Sequence, residues 1–198
     1  HTIDLPKLIE VNKALLRCGA TISEMNVIRK HLSSTKGGGF AQMLYPATVA
    51  ALIFSDVPGN DLNVIASGPT VKDPSTLQDV QNILQKYDLL NIINQTLDAF
   101  AETPKQDMYF ENVSNILVLS NQTALQAMQE KAKTLGYESI IFSDRVEGNA
   151  KTIGELLLNN AQPGKILLAA GETTVKVSGN GKGGRNQEMA LSVARALA

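Results

Sequence analysis

Three short apolar runs separated by helix-length segments constrain this chain more than any other feature. Ile116–Leu119, Ser139–Phe142 and Ile166–Ala170 are strand-length and mostly apolar, as expected of buried strands in a parallel sheet. Between the first two, Leu125, Met128, Ala132 and Leu135 share one helical face, and Gly136 offers a left-handed stop. Between the second and third, residues 149–160 read as another helix. Strand, helix, strand, helix, strand predicts a parallel sheet with right-handed crossovers, because parallel neighbours need a long connection that a helix fills. The predicted class is α/β, with a parallel sheet in Rossmann-like layers. Thr173–Val177 alternates like a half-exposed strand, and a helix is predicted from Asn186, with Met189, Val193 and Leu197 on one side.

The first half reads differently. Thr21 and Glu24 have the spacing of a capping box, in which each side chain satisfies a backbone donor left free at a helix start. Ile22, Met25, Ile28 and Leu32 follow at helical spacing, which leaves Arg29, Lys30 and His31 on a face expected to be solvated. Lys36-Gly37-Gly38-Gly39 breaks that helix. Val49–Phe54 is a continuous apolar run, predicted to be a strand covered on both sides. Asp73-Pro74 reads as an N-cap before a proline, ahead of a buried face formed by Leu77, Val80, Ile83 and Leu84. Residues 102–112 show no period and are read as a boundary. This gives a two-domain organisation, residues 1–112 and 113–198.

Composition excludes several functions. A length of 198 residues buries one good core or two of about 100 residues each. Eighteen Lys and Arg oppose 19 Asp and Glu, a net charge of -1, so no cationic excess draws the chain to nucleic acid. Five Phe, four Tyr and no Trp make a poor base-stacking platform. No apolar run reaches the roughly 18 residues that cross a bilayer, so no membrane partner is expected. His1–Asp4 forms no signal peptide, and the lone Cys18 allows no internal disulfide; Cys18 is read as a packed helix residue. Both points suit a reducing cytoplasm.

In open α/β sheets ligands collect where strands end and helices begin. Asp56 follows the 49–54 run beside Pro58 and Gly59, where it can hold a divalent cation or simply form a turn. Ser67, Gly68 and Thr70 can donate to an anion, or Gly68-Pro69 is only a turn. Ser120 and Asn121 follow a strand and precede a helix, the position of an N-cap or an anion contact. The glycine-rich stretch 179–184 formally matches G-x-G-x-x-G, a weak signal alone, and the position some 20 residues later where a dinucleotide site places its acid is past Ala198, so the match lacks that support. No G-x-x-x-x-G-K-[ST] occurs. Glycines let backbone amides approach an anion closely, and the following helix presents free N–H groups. Lys182 and Arg185 add charge there, and Glu172 at the preceding strand end can hold a metal. The competing reading is a solvated glycine hairpin.

Together, several motifs resemble one family. They are Val11–Leu16, Gly19-Ala20, Glu24–Asn26, Arg29–Ser33, Lys36–Gly38, Ser55–Val57, Ile65–Thr70, Ser120-Asn121, Gly171–Val175 and Gly184–Glu188. In this order they resemble the glycerate 2-kinases of the MOFRL type, over nearly the whole chain. The resemblance implies ATP- and Mg²⁺-dependent transfer of phosphate to the 2-hydroxyl of D-glycerate, and two α/β domains with the active site in the cleft between them. Carried onto this sequence, it implies that Arg185 grips the transferring phosphate or the substrate carboxylate. Gly181, Gly183, Gly184 and Asn186, with Ser120 and Asn121, would contact the nucleotide. Asp56 and Glu172 would hold Mg²⁺, with Asp56 alternatively the general base, and Arg29, Lys30 and Lys36 would anchor substrate.

Family members are longer, with a glycine-lysine motif and a Gly-Gly-Gly-Ser stretch before the region matched and a Thr-Asp-Gly segment after it. The residues here are therefore expected to supply only part of a site, partnered by those segments, and the chain alone is expected not to turn over glycerate. A homodimer stays open. An NAD(P)-dependent hydroxypyruvate reductase and a non-catalytic nucleotide-binding module remain the alternatives.

Overall fold

The computed structural model describes residues 3–93 and 97–197. The chain divides into two compact units: His1–Ile53 with Asp61–Ile116, and Phe54–Asn60 with Leu117–Ala198. The short segment 54–60 thus leaves the first unit and joins the second, which the sequence does not signal.

The first unit is mainly helical. α1 (Leu5–Arg17) starts where the Asp4 side chain accepts from the Lys7 amide. α2 (Ile22–His31) starts at the predicted box: Glu24 N donates to Thr21 Oγ1 at 3.3 Å, and Thr21 N donates to Glu24 Oε2 at 2.8 Å. Gly38, at φ 86°, opens the short α3 (Gly39–Leu44). α4 (Leu77–Lys86) and α5 (Leu89–Ile93) complete the set. One core joins Val11, Ala14 and Leu15 of α1, Met25 and Ile28 of α2, and Val80, Ile83 and Leu84 of α4, with Leu32, Leu89 and Phe100. Burying a side chain of the size of Leu or Ile stabilises by about 1.5–3 kcal/mol, so this cluster is the main glue of the unit. Cys18 caps α1 and packs at the edge of this core.

Two local expectations are corrected by the structure. The N-cap of α4 is Thr76, which closes a reciprocal box with Asp79, whereas Asp73 is drawn inward to Lys30. Lys30 and His31 are buried, not solvated, because acceptors from residues 73 and 102 reach them. Residues 102–112 are tied to the first unit by Lys105, which donates to the Asp73 carbonyl at 2.8 Å, and by the exposed Lys72–Asp107 pair.

β1 (Val49–Phe54) and β2 (Val113–Leu119) pair with each other. Val49 N donates to Asn112 O and Ser55 N to Leu119 O, each at 2.9 Å, so the two strands run parallel. The pairing of β2 with β1 departs from the single sheet predicted over 116–170. β1 is also not covered on both sides, since Leu52 and Phe54 are each 64% exposed. An apolar run says that a strand can be buried, not what will lie against it.

The second unit holds β3 (Glu138–Asn149) and β4 (Lys165–Thr174), paired in parallel from Glu138↔Lys165 to Asn149↔Thr174. Register shifts around Ser143 set Asp144 and Arg145 outside the regular ladder. α6 (Asn121–Thr134) and α7 (Ala150–Asn160) occupy the two predicted crossover positions, and α8 (Arg185–Leu197) packs on α7. Met189 and Val193 are half-buried around Ser192, while Leu197 is exposed. β4 is one strand rather than two, and 175–177 is not strand: β3 turns into α7 after Asn149, so no partner continues beyond Thr174. The fold is α/β with parallel strand pairs. Among the described residues, no helix is long and apolar enough to cross a membrane.

Candidate active site

In the first unit, the segment Lys36-Gly37-Gly38 lies against the loop after residue 61. Gly37 N donates to Ser67 O at 2.9 Å and Gly38 N to Gly68 O at 2.8 Å. Ala66, Ser67 and Gly68 all have positive φ (51°, 62° and 61°), a costly run for two residues carrying Cβ atoms. The Ser67 hydroxyl reaches Asn26 Oδ1 at 3.3 Å, that of Thr70 reaches Asn115 Oδ1, and Gly68 N donates to Ile65 O at 2.9 Å, so all three expected anion donors already have protein partners. Lys36 Nζ approaches Ala66 O at 3.4 Å. Burial, with the charge of Arg29, holds its ammonium below the ordinary lysine value. Arg29 donates through Nε to Asn12 Oδ1 at 2.8 Å. Among the described residues neither Arg29 nor Lys36 makes an ion pair. Lys30, by contrast, places its ammonium 2.9 Å from Asp73 Oδ1, and both side chains are almost wholly buried. Burial works to raise the Asp73 carboxyl, but Ser75 and Lys30 hold it below the ordinary carboxylate value.

In the second unit the strand tips carry the polar groups. Asp56 is exposed just past β1. Ser120 caps α6, accepting from Thr123 N at 3.4 Å. Asn121 donates to the Asp144 carbonyl at 3.3 Å and Gln122 to the Asp144 carboxylate at 2.7 Å. Gln122 and Arg145 together hold that carboxyl below its ordinary value. Asp144 and Arg145, interrupting an apolar strand as adjacent opposite charges, are site neighbours that periodicity passes over. Further along, Glu172 pairs with Arg185 at the first turn of α8. Residues 174–188 are exposed throughout, so Gly181, Gly183, Gly184 and Asn186 all face solvent. An open concavity of about 650 Å³ is lined by Thr174, Val175, Gly184, Arg185, Asn186 and Gln187. No described contact joins Asp56 to Glu172 or Arg185.

A Mg²⁺ ion carried by phosphate would suit the carboxylates of this unit better than one caged by protein side chains alone. Among the described residues, no three His, Cys, Asp or Glu side chains converge into a cage. Glu172 does lie in register with Glu147, giving two carboxylates side by side on neighbouring strands. Mg²⁺ uses one or two carboxylates plus phosphate and retained water, which this donor set can supply.

The profile described as "Domain of unknown function (DUF4147)" matches residues 1–102. This chain belongs to the DUF4147 family. A second profile, the MOFRL family, matches residues 165–198, which contain β4, the glycine-rich stretch and all of α8. This DUF4147 chain is 40% identical over 215 residues to a glycerate 2-kinase of Pyrococcus horikoshii, covering 98% of this chain and 48% of the relative. It is 38% identical over 205 residues to a D-glycerate 2-kinase of Thermotoga maritima, with the same coverage. The crystal structure of glycerate kinase from Thermotoga maritima superposes with a TM-score of 0.84 at 38% identity, over 100% of this chain and 49% of that one. The chain thus spans about half the length of the curated relatives it matches.

Proposed function

We propose that this DUF4147 chain carries the substrate- and phosphate-binding residues of a glycerate 2-kinase. In the reaction, the 2-hydroxyl oxygen of D-glycerate attacks the γ-phosphorus of ATP. The bond from that phosphorus to the bridging oxygen breaks, ADP leaves, and the hydroxyl proton passes to a base. Such transfer needs positioning and charge neutralisation more than covalent help.

The observation that carries this reading is the junction of β4 and α8. There a guanidinium stands at a helix start directly after a glycine-rich stretch, in a chain close to 40% identical to glycerate 2-kinases. Arg185 would bind the transferring phosphate in place of Glu172, and Gly181, Gly183, Gly184 and Asn186 would offer amides to it. Ser120 and Asn121 would add contacts to the nucleotide from the start of α6. Glu172, with Glu147 beside it in register, would hold Mg²⁺, which neutralises phosphate charge when bound; Asp56, joined to neither by a described contact, would meet that ion only through the bound nucleotide. Asp56 is the alternative proton acceptor, and a pH–rate profile shifted in Asp56→Asn would assign it that role. Arg29 and Lys36, cations with no ion-pair partner among the described residues, would anchor the glycerate carboxylate, with Lys30 behind them.

Calorimetry of this chain tests the reading. ATP binding lost in Arg185→Ala and glycerate binding lost in Lys36→Met would support it. Binding of NADH and hydroxypyruvate in place of ATP and glycerate would overturn it. A full active site placed in a coupled assay should likewise release ADP with glycerate and leave NADH unoxidised with hydroxypyruvate.

A further inference from the structure

A buried ion pair is a poor way to gain stability, because desolvating both charges costs about as much as their attraction returns; well-packed apolar residues usually do as well. The Lys30–Asp73 pair therefore calls for another explanation, and its surroundings supply one. The Asp73 carboxylate is fully enclosed. Its Oδ1 accepts from Lys30 Nζ at 2.9 Å, and its Oδ2 accepts from Ser75 Oγ at 2.6 Å and Thr103 Oγ1 at 3.2 Å. Lys105 closes the knot, donating to the Asp73 carbonyl at 2.8 Å and to Thr103 Oγ1 at 2.7 Å.

Gly37 sits directly on this knot. It has φ +55°, and a Cβ there would meet Thr103 Cγ2 at 2.9 Å, Lys30 Cβ at 3.2 Å and Asp73 Cβ at 3.4 Å. Its amide is meanwhile bonded to Ser67 O, in the strained 66–68 run. The turn is thus held between a polar knot on one side and a strained loop on the other, and Lys36 is the side chain it presents.

We propose that Asp73 is a positioning residue for the Lys36-Gly37-Gly38 turn, acting through Lys30 and Thr103 to aim the Lys36 ammonium at an anionic substrate group. This rests on the reading of Lys36 as a substrate anchor. It gives Lys30 a role beneath the site rather than on the ligand.

The experiment uses this chain with Asp73→Asn, the milder Thr103→Val, and the apolar double change Lys30→Met with Asp73→Leu. NMR follows the Gly37 and Gly38 amides and the titration of the Lys36 ammonium, and calorimetry follows D-glycerate. In variants with parental circular dichroism, the two glycine amides should shift and the Lys36 titration should move up toward that of an ordinary lysine. Glycerate binding should weaken about tenfold, the scale of one lost charge-assisted hydrogen bond. The double change should recover thermal stability without recovering these signals, which a purely structural pair would not do. Folded variants with unchanged amides and an unchanged Lys36 titration would overturn the proposal. Should Lys36→Met leave glycerate binding intact, the substrate-anchor reading alone fails, and the amide and ammonium signals still decide whether Asp73 sets the turn.

Discussion

The Glu172 carboxylate and the Arg185 guanidinium form an ion pair across the junction of β4 and α8, each side chain about half exposed (51% and 50%). A cation in the first turn of a helix opposes the helix dipole, and Glu172 offsets that cost. The same carboxylate also occupies the donor face that a phosphate would use. Glu172→Gln should therefore tighten binding of magnesium-free ATP, whereas Arg185→Ala should weaken it at least about tenfold, the value of a charged hydrogen bond. Equal affinities across the three proteins by calorimetry would remove Arg185 from the phosphate site.

Ser120 serves α6 as a cap whatever else it does. Ser120→Ala should cost about 1 kcal/mol of stability in urea unfolding. Ser120→Asp keeps a good cap but brings a negative charge to the proposed phosphate contact. It should hold stability near the parent while ATP binding falls; a parental ATP affinity would leave Ser120 as a cap alone.

Glu24 gives the chain an acid-sensitive element. The Lys86 ammonium at 2.7 Å, with the Thr21 amide and hydroxyl, pulls its carboxyl down to about 2 from an ordinary value of 4.5. A carboxyl depressed on folding adds stability that is present above its unfolded value and lost as pH falls toward the folded one. Urea midpoints should decline from about pH 4.5 to about pH 2, and Glu24→Gln should flatten part of that decline. An identical pH dependence in Glu24→Gln would show that the pair does not bear on folding. Asp73 and Glu102, also held below their ordinary values, account for part of the slope that remains.

Gly154 lets α7 and α8 approach closely. A Cβ there would collide with Ser192 Oγ and lie 2.8 Å from the Met189 carbonyl. Because the second obstacle is backbone, Gly154→Ala should destabilise by about 1–3 kcal/mol. Adding Ser192→Ala should restore only part of that. Full restoration in thermal melts would mean that the helices shift apart easily.

What could be read from the chain in advance was local. The Thr21–Glu24 box spans four residues and depends on nothing outside them, and it forms as expected. Gly136 adopts φ 83° just past α6, because a left-handed stop is a property of that one residue. The α7 start at Asn149 likewise follows from the side chain that accepts from Lys151 N. Lys30 and His31 were another matter. On helical spacing they belong to a wet face, yet Asp73 and Glu102 arrive from 43 and 71 residues away to satisfy them. No local window contains that information.

The strands show the same division. Their apolar runs and helical interruptions determined by themselves that this is an α/β chain with parallel pairs. They did not determine that β2 would choose β1, since every such run offers similar edges and the choice depends on which crossover brings two of them together. Residue type likewise marked Arg185 and Glu172 as charged groups near glycine-rich backbone. Only the folded chain decided that they would hold each other, and that Lys36 would be backed by a buried carboxylate. Such pairings are set by long-range packing, which a linear pattern of residues does not encode position by position.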